Sequence, residues 1–113
     1  MHEMSLTESI LRILETEAGR QGFSRVLEVR LEVGALSHAD PDALRFCFDA
    51  VTRGSLAEGA RLDILRLPGT GWCLPCGAEI AVARRFDPCP RCGGHQIQVT
   101  AGDELRIKDL EVA

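Results

Sequence analysis

Cys73-Leu-Pro-Cys76-Gly-Ala-Glu-Ile-Ala-Val-Ala-Arg-Arg-Phe-Asp-Pro-Cys89-Pro-Arg-Cys92 is the stretch on which the reading of this chain turns. Each Cys-x-x-Cys turn sets two sulfurs on one side of a tight loop, where both reach the same ion. Two such turns, separated by the 12 residues from Gly77 to Pro88, supply a complete tetrahedral four-cysteine shell for zinc. Gly77 and Gly93 follow the pairs and are expected to let backbone amides turn toward the sulfurs. Two knuckles joined by a short hairpin are the signature of a zinc ribbon. Four thiolates leave no open position for water or substrate, so zinc held by Cys73, Cys76, Cys89 and Cys92 is expected to be structural. An iron site or a redox-active disulfide pair draws on the same residue types, and the sequence does not separate zinc from iron.

Outward from the ribbon, 113 residues suffice for one modest domain, or a small core plus a metal-stapled lobe. The chain is 45% apolar and 27% charged, an ordinary globular balance. Four Phe, one Trp and no Tyr make the core aliphatic. No apolar run approaches the ~20 residues that span a bilayer, so no membrane association is expected. Met1 to Leu14 carries Glu3, Glu8 and Arg12 without a continuous apolar stretch, so no secretory leader is expected either. The cysteines then read as metal ligands in a reducing cytosol, a cytoplasmic location. Formal charge is −4, from 13 basic and 17 acidic residues, and four thiolates around one Zn²⁺ make it more negative. Between Pro68 and Asp103, Arg84, Arg85 and Arg91 are balanced by Glu79, Asp87 and Asp103. The basic stripe that neutralises phosphates is missing, which disfavours nucleic acid.

Toward the amino terminus, Ser5-Leu-Thr-Glu8 is a capping box, predicting a helix from about Leu6 to Gln21. Leu6, Ile10, Ile13, Leu14 and Ala18 share its apolar face, and Gly22 stops it. Leu27, Val29, Leu31 and Val33 alternate with Glu28, Arg30 and Glu32, a strand with one buried and one wet face. Asp40-Pro41 opens a second helix with the stripe Leu44, Cys47, Phe48 and Val51, closed by Gly54. Arg61 to Leu67 is a second strand, and Pro68-Gly69-Thr70-Gly71 reads as a linker. Within the ribbon Ile80 and Val82 face one hairpin strand, Ile97 and Val99 the other. The chain closes on a strand from Glu104 to Val112 whose apolar phase slips between Ile107 and Leu110, predicting a bulge near Lys108-Asp109. So apolar a strand is expected to return to the first module. The predicted fold is α+β: a small lobe of two helices and a three-stranded sheet (residues 1–67 with 104–113) carrying an inserted zinc-ribbon lobe (68–103).

No catalytic set stands out. The single lysine, Lys108, precedes Asp109, so a phosphate loop with its Gly-Lys-Ser/Thr signature is excluded. Ser37-His38-Ala-Asp40 has the residue types of a hydrolase triad, but neighbours in a helix-entry loop lack triad geometry and Asp40 has a capping role. Cys47 reads as a small buried hydrophobe, His95 as a solvated tip residue, and Trp72 as packing at the ribbon base.

The amino terminus is the exception. Methionine excision needs a small second residue, so His2 is expected to leave Met1 in place. An amine, the His2 amide nitrogen and its imidazole then lie within one chelating step, nitrogen donors favoured by Ni²⁺ or Cu²⁺ in a square-planar or tetragonal array. Glu3 adds an amide nitrogen or a carboxylate oxygen. Met1-His2-Glu3, the amphipathic first helix, Val33-Gly34-Ala-Leu36-Ser37, Gly59-Ala60-Arg-Leu62, the paired knuckles and Gly102-Asp-Glu104-Leu105-Arg-Ile107 together resemble the HypA/HybF family, nickel metallochaperones for maturation of nickel–iron hydrogenase. The resemblance runs through the whole chain in one order. It implies transported Ni(II) centred on His2 with Glu3 beside it, and structural Zn(II) on Cys73, Cys76, Cys89 and Cys92. It also implies a HypB-type GTPase and the hydrogenase large-subunit precursor as partners, and no enzymatic activity. The alternative is a zinc-ribbon adaptor, protein- or nucleic-acid-binding, with no transported metal. A redox enzyme using the Cys-x-x-Cys pairs is opposed by closed zinc ligation. Periodicity does not say whether the terminal strand stays within one chain or swaps between the two copies of a homodimer, nor whether the client is hydrogenase, urease or both.

Overall fold

The computed structural model describes residues 2–113. The elements run α1 (His2–Gln21), β1 (Val26–Gly34), α2 (Pro41–Val51), β2 (Arg61–Leu67), β3 (Thr70–Cys73), β4 (Ala78–Ala81), β5 (Ile97–Ala101) and β6 (Leu105–Val112). The fold is α+β, with two helices, a three-stranded sheet ordered β2-β1-β6 and a second ordered β4-β3-β5. The terminal strand joins the first sheet, as its apolar character required.

By their internal contacts the residues form two compact units. The first comprises Met1–Leu31, Ala39–Ile64 and Ile107–Ala113; the second comprises Glu32–His38 and Leu65–Arg106.

In the first unit α1 packs on α2. Helix α1 starts at His2, four residues before the expected Leu6, and Ser5 is an exposed residue of its first turns, not a cap. Two contacts hold this early start. The Glu3 carboxylate accepts the Asp40 N–H at 3.2 Å, and the buried Thr7 hydroxyl donates to Glu3 O and Met4 O at 3.0 and 2.9 Å. That back-bonding lets a hydroxyl sit in the core without an orphaned donor. The buried face is Thr7, Ile10 and Leu14. Ile13 falls on its flank and is 50% exposed. Gly22, at φ 77°, ends the helix and donates to Ala18 O at 2.9 Å.

Helix α2 begins as its sequence dictates. Asp40 is the N-cap, its Oδ1 accepting the Asp42 N–H at 3.2 Å, and Pro41 occupies the first turn. Leu44, Cys47 and Phe48 are buried beneath it. Val26, Val29 and Leu31 of β1 complete this core, each at most 1% exposed. Leu27, expected inward, is 44% exposed. Val26, tied to Leu56 O at 3.0 Å, points inward instead, so the strand changes phase at its start. Arg25 and Ala113 exchange backbone hydrogen bonds of 3.2 and 2.9 Å, while Arg30 pairs with Asp109 at 2.7 Å. Partners advance along β1 as they retreat along β6, an antiparallel pairing. Burial along β6 moves from Leu105 and Ile107 to Leu110, the phase slip read from the sequence. The polar face of β1 is a charge ladder in which Glu28 reaches Arg61 at 3.8 Å and Arg30 reaches Asp109.

In the second unit β3 is central, antiparallel to β4 and β5, with Trp72 opposite Glu79 and Gln98 and Cys73 opposite Ala78 and Ile97. Leu36, Cys73, Ile80, Val82 and Cys89 form its core, with Cys76, Ile97 and Val99 packed against it. The stretch Pro68–Gly71, expected as a linker, instead feeds β3. A Cβ on Gly69 would lie 2.3 Å from Val82 O, and one on Gly71 2.7 Å from Ile97 Cγ2. Nearby, Gly34 crosses Gly102 so closely that a Cβ on Gly34 would meet Gly102 O at 2.0 Å. The crossing is pinned by Gly34 N–H to Glu104 O at 2.7 Å and Leu36 N–H to Gly102 O at 2.6 Å. At Gly34, Gly69 and Gly71 glycine is required by space, while Gly102, at φ 108°, also needs glycine's backbone freedom.

Candidate metal centre

The knuckles follow from local chain chemistry. Cys73 ends β3, and Gly77, at φ 60°, turns back to donate to Cys73 O at 2.9 Å. Gly93, at φ 75°, does the same to Cys89 O at 2.8 Å. The Gly77 and Gly93 amides thus close the turns on carbonyls, while neighbouring backbone amides turn toward the sulfurs, as expected. The sulfurs receive other amides: Arg91 N–H to Cys89 Sγ and Gly94 N–H to Cys92 Sγ, both 3.4 Å. Left-handed backbone at the glycines frees those neighbouring amides to point inward.

All four Sγ atoms lie within 4.8 Å of one another, with Cys73–Cys92 at 3.7 Å and Cys76–Cys89 at 3.9 Å. A tetrahedron with metal–sulfur bonds of ~2.3 Å has edges of ~3.8 Å, so the set fits one tetrahedral ion. The separations are far beyond a disulfide's ~2.05 Å, and all five cysteines are free. Cys73 and Cys89 are buried, Cys76 is half-buried and Cys92 exposed, so the shell is open to solvent along one edge.

The thiols are unequal. Hydrogen bonding to the Cys92 and Cys73 sulfurs, with burial, pushes the Cys76 thiol up to about 12. The Cys92 amide, aided by that of Arg91, draws Cys89 down to about 7 against the effect of burial. For Cys73 the Cys76 amide works downward, but burial and the neighbouring sulfurs carry it above the ordinary thiol value. Cys73 and Cys76 therefore hold their protons at neutral pH until a cation displaces them.

Trp72, expected at the ribbon base, is 42% exposed. Period-two alternation explains it: with Gly71 and Cys73 buried, Trp72 must face outward. Cys47 is buried and His95 exposed, as expected. Ser37 Oγ donates to Gly34 O at 2.8 Å while Asp40 caps α2, so the triad residue types form a polar loop. Sequence reasoning missed Arg85, whose Nε donates to Leu36 O at 3.2 Å and whose guanidinium lies 3.8 Å from Asp103. In the sequence it stood only as one of the bases balanced by nearby acids such as Asp103.

At the other candidate site, His2 is exposed and Glu3 half-buried at the start of α1. The Asp40 N–H holds the Glu3 carboxyl below the ordinary glutamate range. The amine expected of Met1 lies outside the described residues. Among the described residues, the four cysteines are the one set of three or more metal-type side chains close enough to share an ion. No described helix is long and apolar enough to cross a membrane.

Comparison with known proteins points one way. The family profile described as HypA, hydrogenase/urease nickel incorporation, metallochaperone, matches residues 1–112. The hydrogenase maturation factors HypA of Alkalilimnicola ehrlichii and Azotobacter vinelandii are 63% and 59% identical over 112 residues, each covering 99% of both chains. The solution structure of the Ni metallochaperone HypA from Helicobacter pylori superposes with a TM-score of 0.68 at 23% identity, over 97% of this chain and 96% of that one. A further solution structure of HypA protein gives 0.70 at 25% identity, over 100% and 97%.

Proposed function

This chain belongs to the HypA family of nickel metallochaperones for hydrogenase maturation, and we propose that it binds Ni(II) at the start of α1 and yields it for insertion into nickel–iron hydrogenase. In this reading His2 supplies the imidazole, and the backbone nitrogens of His2 and Glu3 complete a nitrogen-rich set. The observation that carries it is the start of α1 at His2. The leading amides of a helix have no intrahelical acceptor, so engaging them with a metal breaks no helical bond. The positive end of the helix dipole opposes a cation there. Affinity must come from the donors themselves, and such a site releases its cargo when a better set is offered. Glu3, whose Oε2 accepts the Asp40 N–H, stands beside this set.

Zinc on Cys73, Cys76, Cys89 and Cys92 is proposed as structural, each thiolate closing one corner and none left for chemistry. We assign nickel handling to residues 1–67 with 104–113 and zinc binding to 68–103. The protein acts as a carrier and not an enzyme, in the cytoplasm, with a HypB-type GTPase and the hydrogenase large-subunit precursor as partners and without nucleic acid or membrane. The adaptor alternative binds zinc alone.

His2→Ala, in protein with nothing added before Met1, tests the reading by metal analysis and nickel titration. The expected result is loss of tight nickel binding with zinc content and circular dichroism unchanged. Wild-type nickel affinity in His2→Ala would reject the amino-terminal site, and zinc as the sole metal of wild-type protein would favour the adaptor.

A further inference from the structure

Phe86 lies within the second unit, between the two knuckles, and its side chain is 93% exposed. Its backbone sits at φ 70°, a region bulky residues rarely adopt. The ring gains nothing from the chain's own core to offset that strain. Single exposed apolar residues are ordinary on protein surfaces, but Phe86 does not stand alone. It forms one wall of a groove of about 280 Å³, lined also by Ala35, Leu36, His38, Arg84 and Arg85. The groove's lining is mostly apolar, its charged or titratable residues are two arginines and a histidine, and no acidic residue lines it.

The two arginines play different parts. Arg85 is tied to Leu36 O and lies near Asp103, so it builds the wall. Arg84 is 86% exposed, and among the described residues its one ion pair is a 4.0 Å approach to Asp87, so its guanidinium is accessible to a ligand. A basic, apolar-walled groove on a chain of net charge −4 is complementary to one kind of partner. We propose that this groove docks a short acidic segment of a partner protein, one that sets an apolar side chain against Phe86 and carboxylates against Arg84. Aromatic residues, Phe among them, and arginine are enriched at such contacts, and the charge complementarity steers encounter. A long polyanion such as nucleic acid fits less well, because beyond two guanidiniums it would run onto a net-negative surface.

The test uses full-length zinc-loaded protein on a synthetic peptide array. Each peptide carries a central Leu or Phe flanked by Asp/Glu, by Lys, or by Ser. Retention on the acidic peptides, at least ten-fold above the others, is expected. Phe86→Gly relieves the left-handed strain, so its Tm should match or exceed wild type while retention falls ten-fold, separating docking from folding. Arg84→Glu should shift preference toward the lysine-flanked peptides. Equal retention on all three sets, or undiminished retention by Phe86→Gly, would overturn the proposal. So would displacement of the acidic peptides by oligothymidylate at lower concentration than by free acidic peptide, or self-association through this face that excludes them. His2→Ala should leave retention unchanged, so failure of the nickel reading and failure of this one remain distinguishable.

Discussion

Replacing Gly34 with alanine places a methyl group where the fold has only backbone to meet it. The new Cβ would lie 2.0 Å from Gly102 O, 2.2 Å from Gly102 C and 2.7 Å from the Asp103 nitrogen. No side chain can rotate away, so the two segments must part by on the order of 1 Å to reach ordinary contact. That displacement breaks or strains the bonds from Gly34 N–H to Glu104 O and from Leu36 N–H to Gly102 O. A buried hydrogen bond left unsatisfied costs ~1–3 kcal/mol and overpacking a further ~1–3 kcal/mol. The expected loss is about 2–6 kcal/mol, a large part of the ~5–15 kcal/mol available to an ordinary domain. Gly19→Ala is the matched control, since Gly19 is exposed in α1 with nothing within 4 Å of a Cβ. There alanine should stabilise by ~0.5–1 kcal/mol, through helix propensity alone. Urea unfolding of both zinc-loaded variants, followed by far-ultraviolet circular dichroism, makes the comparison. A Gly34→Ala protein within ~1 kcal/mol of wild type at unchanged m-value would show that the crossing is looser than described.

Both Cys73→Ala and Cys92→Ala should abolish stoichiometric zinc, but Cys73 is 0% exposed and Cys92 exposed. The buried substitution should therefore broaden the amide spectrum of the second unit further, and equal spectra would contradict that ranking. With Cys76 pushed up to about 12 and Cys73 raised, zinc added to the metal-free protein at neutral pH must displace at least their two protons. Calorimetry in buffers of differing ionisation enthalpy should find them, with zinc affinity rising with pH; release of one proton or fewer would be incompatible with the description. Glu3 is held low by the Asp40 N–H, so its contribution to stability is complete above the unfolded carboxyl value and lost as pH falls through the folded one. Glu3→Gln should flatten that acid limb of Tm against pH and weaken nickel less than His2→Ala does. An unaltered limb would mean the Asp40 contact is absent in solution.

Much of this was legible in the sequence because the signals were local. Two Cys-x-x-Cys pairs fix a tetrahedral shell through turn geometry alone, Asp40-Pro41 caps α2 wherever that helix packs, and the slip after Ile107 is carried by the residues of β6. What escaped was set by distant partners. Ser5 and Glu8 have the pattern of a cap, yet the helix begins earlier because Glu3 meets Asp40. Gly69 and Gly71 look like linker residues because a backbone crossing and a flexible loop require the same amino acid for opposite reasons. Leu27 is turned outward by the phase change at Val26, Ile13 lies at the flank of its helix's buried face, and Trp72 was displaced outward by the need of Cys73 to face the metal site.

That displacement has a spectroscopic consequence. Trp72 is the chain's only tryptophan, and there is no tyrosine, so its intrinsic fluorescence arises wholly from the second unit. Both helices belong to the first, so helical ellipticity comes wholly from there. One cuvette thus holds two optically separate reporters, with no label attached. Denaturation traces in the two signals will coincide only if both units melt in a single cooperative step. Any gap between the midpoints measures how far the zinc-bearing half holds its shape without the helical half.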